Sequence, residues 1–143
     1  MSKIKFLTIF WTLIFSIGAF SQAAAQEKTD ITAKKQEAKQ LYAKGLNKIS
    51  AGNYKEALIF LEEAVKKNPD YVEAYFEIGY CNGELGHWEE AAAAYKQAIL
   101  IKPDYLDAYY NLGLAYRRLG RFQEATAAYK KAIGIKPDDA EVH

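Results

Sequence analysis

Few side chains in this sequence could do acid–base, nucleophilic or metal chemistry, and they lie far apart. His87 and His143 are the only histidines, and Cys81 is the only cysteine. His87 stands in the turn-like stretch Leu85-Gly86-His87-Trp88, and His143 closes the sequence. An activated thiolate needs a neighbouring base or cation, and no His lies near Cys81 in sequence. It reads as a small buried residue, with a reactive thiol as the sharper alternative. One thiol cannot close an internal disulfide. No phosphate-cradling glycine loop, metal-ligand spacing or Gly-x-Ser-x-Gly elbow occurs. Arg117, Arg118 and Arg121 form a small basic cluster, either a solvated helix face or a contact for an acidic peptide. The expectation is a protein that is not an enzyme and takes no cofactor and no metal. Binding is the chemistry left, and binding needs a surface.

The elements that build such a surface begin after a distinct leader. "MSKIK" supplies Lys3 and Lys5, an uncharged apolar run follows from Phe6 to Phe20, and "SQAAAQ" ends it. A basic start, an apolar middle and small residues before a cut describe a secretory signal peptide over residues 1–25. Cleavage after Ala25 leaves Gln26 first; a cut after Ala23 also fits. The alternative is a retained anchor, because uncharged residues 6–25 are about long enough to span a bilayer. Removing Lys3 and Lys5 takes 19 basic residues to 17 against 18 acidic, formally −1 instead of +1. Neither value steers the chain toward nucleic acid. The expected setting is exported, either periplasmic or secreted, or membrane-anchored if the leader stays.

From residue 38 the chain repeats itself every 34 residues. Pro69, Pro103 and Pro137 share that spacing, each followed by Asp. Gly45, Gly79 and Gly113 form a second column, Gly52, Gly86 and Gly120 a third, Ala57, Ala91 and Ala125 a fourth, and Ala64, Ala98 and Ala132 a fifth. Tyr42, Phe76 and Tyr110 recur, as do Tyr54, Trp88 and Phe122. Within each period two apolar stretches at helical spacing are separated by a glycine stop. Asp104 is expected to cap one helix, and Asp70 with Glu73, and Asp138 with Glu141, to form capping-box-like pairs. Residues 26–37 read as a polar linker that frays into the first helix, with Asp30 or Thr32 as its cap. Helices of about 14 residues are marginal alone, so each pair must bury its apolar face against the next.

This pattern resembles the tetratricopeptide repeat family, with units at 38–71, 72–105 and 106–139 and the start of another helix at 140–143. Tyr109, Leu112, Gly113, Tyr116, Ala125, Tyr129, Ala132 and Pro137 occupy the signature positions of the third unit. Asn82 replaces a usual Tyr in the second unit, and Lys44 and Lys48 replace a usual Leu and Tyr in the first. The resemblance implies an all-α, right-handed α-solenoid of three helix-turn-helix repeats. It also implies a concave groove lined by the first helix of each unit. By position that groove offers Tyr42, Leu46, Phe76, Tyr80, Tyr110, Asn111, Leu114 and Arg117. Such a surface suits a peptide or amphipathic helix of a protein partner; the other reading is that these stripes pack between helices. Members that bind chaperones clamp a terminal carboxylate with Lys, Asn and Arg. The matching positions here are Tyr42, Leu46, Glu77, Asp107 and Asn111, so that clamp is absent. Tyr129, Ile133 and Ile135 are expected to leave apolar area bare at the C-terminal end. A homodimer through that end, a covering partner, or a chain shortened from a longer array each account for it.

Overall fold

The structure, a computed structural model, describes residues 2–135, with side chains from residue 18. All regular structure among them is helical: α1 (Ser2–Ser50), α2 (Tyr54–Lys67), α3 (Val72–Glu84), α4 (Trp88–Ile101), α5 (Leu106–Arg118) and α6 (Phe122–Ile135). The chain divides into two compact units, residues 1–36 and residues 37–143. Asp138, Glu141, His143 and the short segment 140–143 lie outside the described residues.

In the first unit, every side chain from 18 to 36 is exposed, Phe20 and Ile31 included. The expected fraying over 26–37 is not observed; helix runs through all of it. The stretch lacks Gly and Pro and is rich in Gln, Glu and Lys, which favour helix. Neither Asp30 nor Thr32 begins a helix. Instead Gln26 Nε2 donates to Asp30 Oδ1 at 3.2 Å. Thr29 and Thr32 donate their hydroxyls back to the carbonyls of Gln26 and Lys28 at 2.7 and 2.8 Å. Residues 1–17, which include most of the leader and of the alternative anchor, have side chains outside the described set. Among the described residues no helix is long and apolar enough to cross a membrane.

The second unit is a row of helix pairs. Each first helix of a pair ends the same way. Gly52, Gly86 and Gly120 take φ of +74°, +78° and +74°, the left-handed region that only glycine enters cheaply. The amide after each glycine then reaches back to a carbonyl five residues earlier: Asn53 to Lys48 at 2.9 Å, His87 to Asn82 at 2.8 Å, Arg121 to Tyr116 at 2.8 Å. That bond, with the glycine amide bonded three residues back, is the Schellman closure. Between pairs the chain makes a different turn. The Tyr71 amide bonds to the Asn68 carbonyl at 3.1 Å and the Tyr105 amide to the Lys102 carbonyl at 3.2 Å. Pro69 and Pro103 hold the second place of these four-residue turns, where a fixed φ is an advantage. Asp70 and Asp104 therefore lie inside the turns and do not cap. The N-caps are Tyr71 and Tyr105, and neither makes a side-chain cap bond.

Small residues set the distance between paired helices. Ala57, Ala64, Ala91, Ala98, Ala125 and Ala132 are all buried. Gly79 lies against the Tyr95 ring so closely that a Cβ there would be 2.6 Å from a ring carbon, and Gly113 stands in the same relation to Tyr129. In the first pair Leu61 takes the ring's place, 2.7 Å from a Cβ built on Gly45. Lys48, at a position that tyrosine fills in the third pair, instead reaches Glu56 at 2.6 Å, and Glu37 reaches Lys67 at 2.7 Å. Both ion pairs are exposed, so solvent screening leaves them a minor part of the stability. Asn82, the other substituted position, is buried and donates Nδ2 to the Ile78 carbonyl at 3.0 Å, which satisfies one of its donors.

These contacts predict opposite outcomes for one substitution. In an exposed helix Gly→Ala gains about 1 kcal/mol. Gly134 has nothing within 4 Å of a built Cβ, so Gly134→Ala raises stability in urea denaturation. At Gly79 and Gly113 the added carbon meets a ring, and overpacking costs about 1–3 kcal/mol. Gly79→Ala and Gly113→Ala therefore lower the urea midpoint.

Candidate binding groove

The first helices of the pairs, α1 from residue 37 onward, α3 and α5, carry all eight sequence-predicted groove residues. Helix α3 packs directly against α5 as well as against α4. Tyr42 and Leu46 come from α1, Phe76 and Tyr80 from α3, and Tyr110, Asn111, Leu114 and Arg117 from α5. Tyr110 and Arg117 are exposed, and the other six are half-buried.

Burial of the aromatic stripe has a specific cause. Tyr71 folds from the turn onto Tyr42, ring centroids 4.9 Å apart. Tyr105 does the same to Phe76 one unit later, stacked at 5.2 Å. Phe76 also leans on Tyr95 at 5.6 Å, and Tyr110 on Tyr129 at the same distance. Tyr80 meets Tyr54 edge-on at 6.0 Å. Tyr42, Phe76 and Tyr80 thus pack between elements while keeping an open edge, and Tyr110 keeps 57% of its surface exposed. Asn111 Nδ2 donates to the Asp107 carbonyl at 2.8 Å, which leaves its amide oxygen open. Tyr71 and Tyr105 pack directly on two of the groove candidates although sequence reasoning did not place them there. Their signal was available, since each follows a Pro-Asp pair in the 34-residue period.

The electrostatics of the stripe are one-sided. Burial, then the carboxylates of Glu77 and Glu73, push the Tyr42 phenol up to about 12. Burial, then Asp107, Glu73 and Glu77, push up Tyr105. Burial raises the Glu77 carboxyl itself above the ordinary range. The basic cluster is mostly engaged elsewhere. Arg118 lies over the Trp88 ring at 5.3 Å and Arg121 over Tyr116 at 4.6 Å, and Arg121 also pairs with Glu124. His87 is exposed and serves as the α4 N-cap without a side-chain bond. Among the described residues no group of His, Cys, Asp and Glu could hold a metal ion.

Cys81 is fully buried beside Ala57, Leu61, Ile78 and Ala94. Burial, then Glu77 and Glu84, push its thiol up to about 12. Because the folded value lies above the ordinary 9.0, ionisation favours the unfolded chain between those two values, and stability falls as pH rises through that window. At pH 8 the folded protein is expected to resist iodoacetamide, with labelling appearing only as urea unfolds it. Rapid labelling without denaturant would contradict the burial described.

Three family models match, all described as tetratricopeptide repeats: one over residues 42–99, one over 83–120 and one over 106–139. Solved structures with similar folds include MamA, 30% identical over 74% of this chain and 62% of that one, with a TM-score of 0.70. YrrB, described as a TPR protein with an unusual peptide-binding site, is 30% identical over 73% of this chain and 54% of that one, TM-score 0.68. The first TPR of Spaghetti (RPAP3), bound to an HSP90 peptide, is 22% identical over 73% of this chain and 83% of that one, TM-score 0.70. The chain thus spans under two thirds of the MamA and YrrB chains just described. No curated protein sequence matches it.

Proposed function

The chain belongs to the tetratricopeptide repeat proteins, and from that premise we propose that it is an exported, non-catalytic interaction scaffold. It holds a peptide or helix of a protein partner along α1, α3 and α5. The observation that carries this reading is Tyr110. A large ring that is 57% exposed, in line with the open edges of Phe76 and Tyr42, is an anchor without a described cover, and aromatic anchors dominate binding energy at such surfaces. YrrB's peptide-binding site supports it by analogy. The missing carboxylate clamp argues against an acidic chain terminus as the occupant.

Tyr110→Ala is the clean test. Its ring contributes little to the fold, so helical circular dichroism stays unchanged while partner capture from an envelope extract drops by roughly tenfold or more. Phe76→Ala also weakens capture but loses about 2–3 kcal/mol of stability, because its ring packs between Tyr95 and Tyr105. Capture unaffected by Tyr110→Ala would overturn the groove assignment.

Export rests on the leader of residues 1–25, removed so that the mature chain begins at Gln26 in a periplasmic or secreted setting. The alternative is a membrane-tethered structural subunit of an envelope complex that keeps residues 6–25. N-terminal sequencing of the native protein separates the two. A second reading, self-association through α6, is favoured by Phe122 and Ile133, which are 66% and 72% exposed. Their counterparts one unit earlier, Trp88 and Ile99, are half-buried. Light scattering over a concentration series is expected to show a mass increase that Phe122→Ser with Ile133→Ser abolishes; a constant monomer mass would remove this reading.

A further inference from the structure

The groove has a sign. Helix α3, at its centre, carries Glu73, Glu77 and Glu84 and no Lys or Arg. Asp107 adds a fourth carboxylate from the first turn of α5. The ion pairs found among the described residues use Glu37, Glu56 and Glu124 instead, so none of the four groove carboxylates is paired there. Glu77 is the most deeply placed. It is half-buried, next in sequence on α3 to Phe76, whose ring stacks on Tyr105, and no described hydrogen bond repays its desolvation. The cation found against these rings is Lys102, 4.9 Å above Tyr105, a ring that Phe76 also stacks on. Lys39 and Arg117 lie at the two ends of the groove, both exposed.

A half-buried carboxylate costs desolvation energy unless an opposite charge sits beside it. Aromatic rings around that site attract a cation further, through their faces. An incoming acidic segment would meet four like charges instead, which is how wrong partners are rejected. We propose that the segment held in this groove is basic. One of its Lys or Arg side chains seats on Glu77 between Tyr42 and the Phe76–Tyr105 stack, and apolar neighbours lie against Tyr80 and Tyr110. This rests on the groove reading above and specifies the chemistry of the partner.

The test uses the full mature chain and two fluorescein-labelled peptides, one alternating Lys with Leu and a counterpart with Glu at every Lys position, followed by fluorescence anisotropy. The Lys peptide binds saturably and the Glu peptide does not. Glu77→Gln, nearly the same shape without the charge, weakens the Lys peptide by roughly tenfold or more with its urea midpoint unchanged or raised. Glu77→Lys shifts preference toward the Glu peptide. Raising salt weakens the wild-type complex. Equal binding of both peptides, or a Lys-peptide affinity that Glu77→Gln does not move, overturns the charge assignment. If the Glu peptide is then the one that binds, and Tyr110→Ala abolishes it, the groove stands and only its sign is wrong. If neither peptide binds, or Tyr110→Ala leaves binding of both intact, the groove reading falls together with the proposal.

Discussion

The structure depends on one close contact repeated along the chain: a glycine on the first helix of a pair against a large side chain of the second. At Gly79 and Gly113 that side chain is a tyrosine, and a single added carbon would sit 2.6 Å from its ring, well inside the roughly 3.5–4.0 Å of an ordinary carbon contact. The helices are thus as near as their backbones permit. Alanines at Ala57, Ala91 and Ala125 keep the same approach along the interface. Close approach brings many atoms into contact, and dispersion gains that are small singly become large together. This suits a fold in which, among the described residues, Leu61 and Cys81 are the largest side chains that are fully buried.

The groove follows from that packing. Once the paired helices close on small residues, their rings are left for the spaces between successive pairs. Tyr71 and Tyr105 fold back on Tyr42 and Phe76, so the same rings that join one pair to the next also line the surface. Packing fixes these rings before any partner arrives, and fixed anchors lose less entropy on binding. Acidic residues on the same helices cost little while water reaches their outer edge, and in the proposed complex they would supply discrimination once a partner excludes it. Stability and the proposed recognition draw on the same aromatic ladder, with Tyr110 as its most exposed member.

The helices and their pairing were legible because periodicity is a record of packing: glycine stops, alanine columns and a 34-residue repeat each have a physical cause that leaves a residue type behind. Other features were less legible. Asp70 and Asp104 looked like caps because Asp favours that place, yet Pro69 and Pro103 pull them into a turn and move the cap to a tyrosine. Residues 26–37 looked like a linker because they are polar, but polarity without Gly or Pro does not stop a helix, and α1 runs through them. The eight groove candidates were placed by family analogy, and they fall on α1, α3 and α5. That Tyr42 and Phe76 pack between elements was one of the two readings their spacing allowed; the rings that cover them come from turns, at Tyr71 and Tyr105. The proposed sign of the groove comes from the glutamates of α3, and the half-burial of Glu77 gives that charge a consequence.

Native-state hydrogen exchange tests most directly whether these glycine contacts hold the paired helices together. The account predicts that amides of α3, α4 and α5 around Gly79, Tyr95 and Gly113 exchange slowest and open as one cooperative unit, with residues 18–36 of α1 exchanging fastest among the described helical amides. Fast, independent opening of α3 and α4, or protection greatest in residues 18–36, would contradict it.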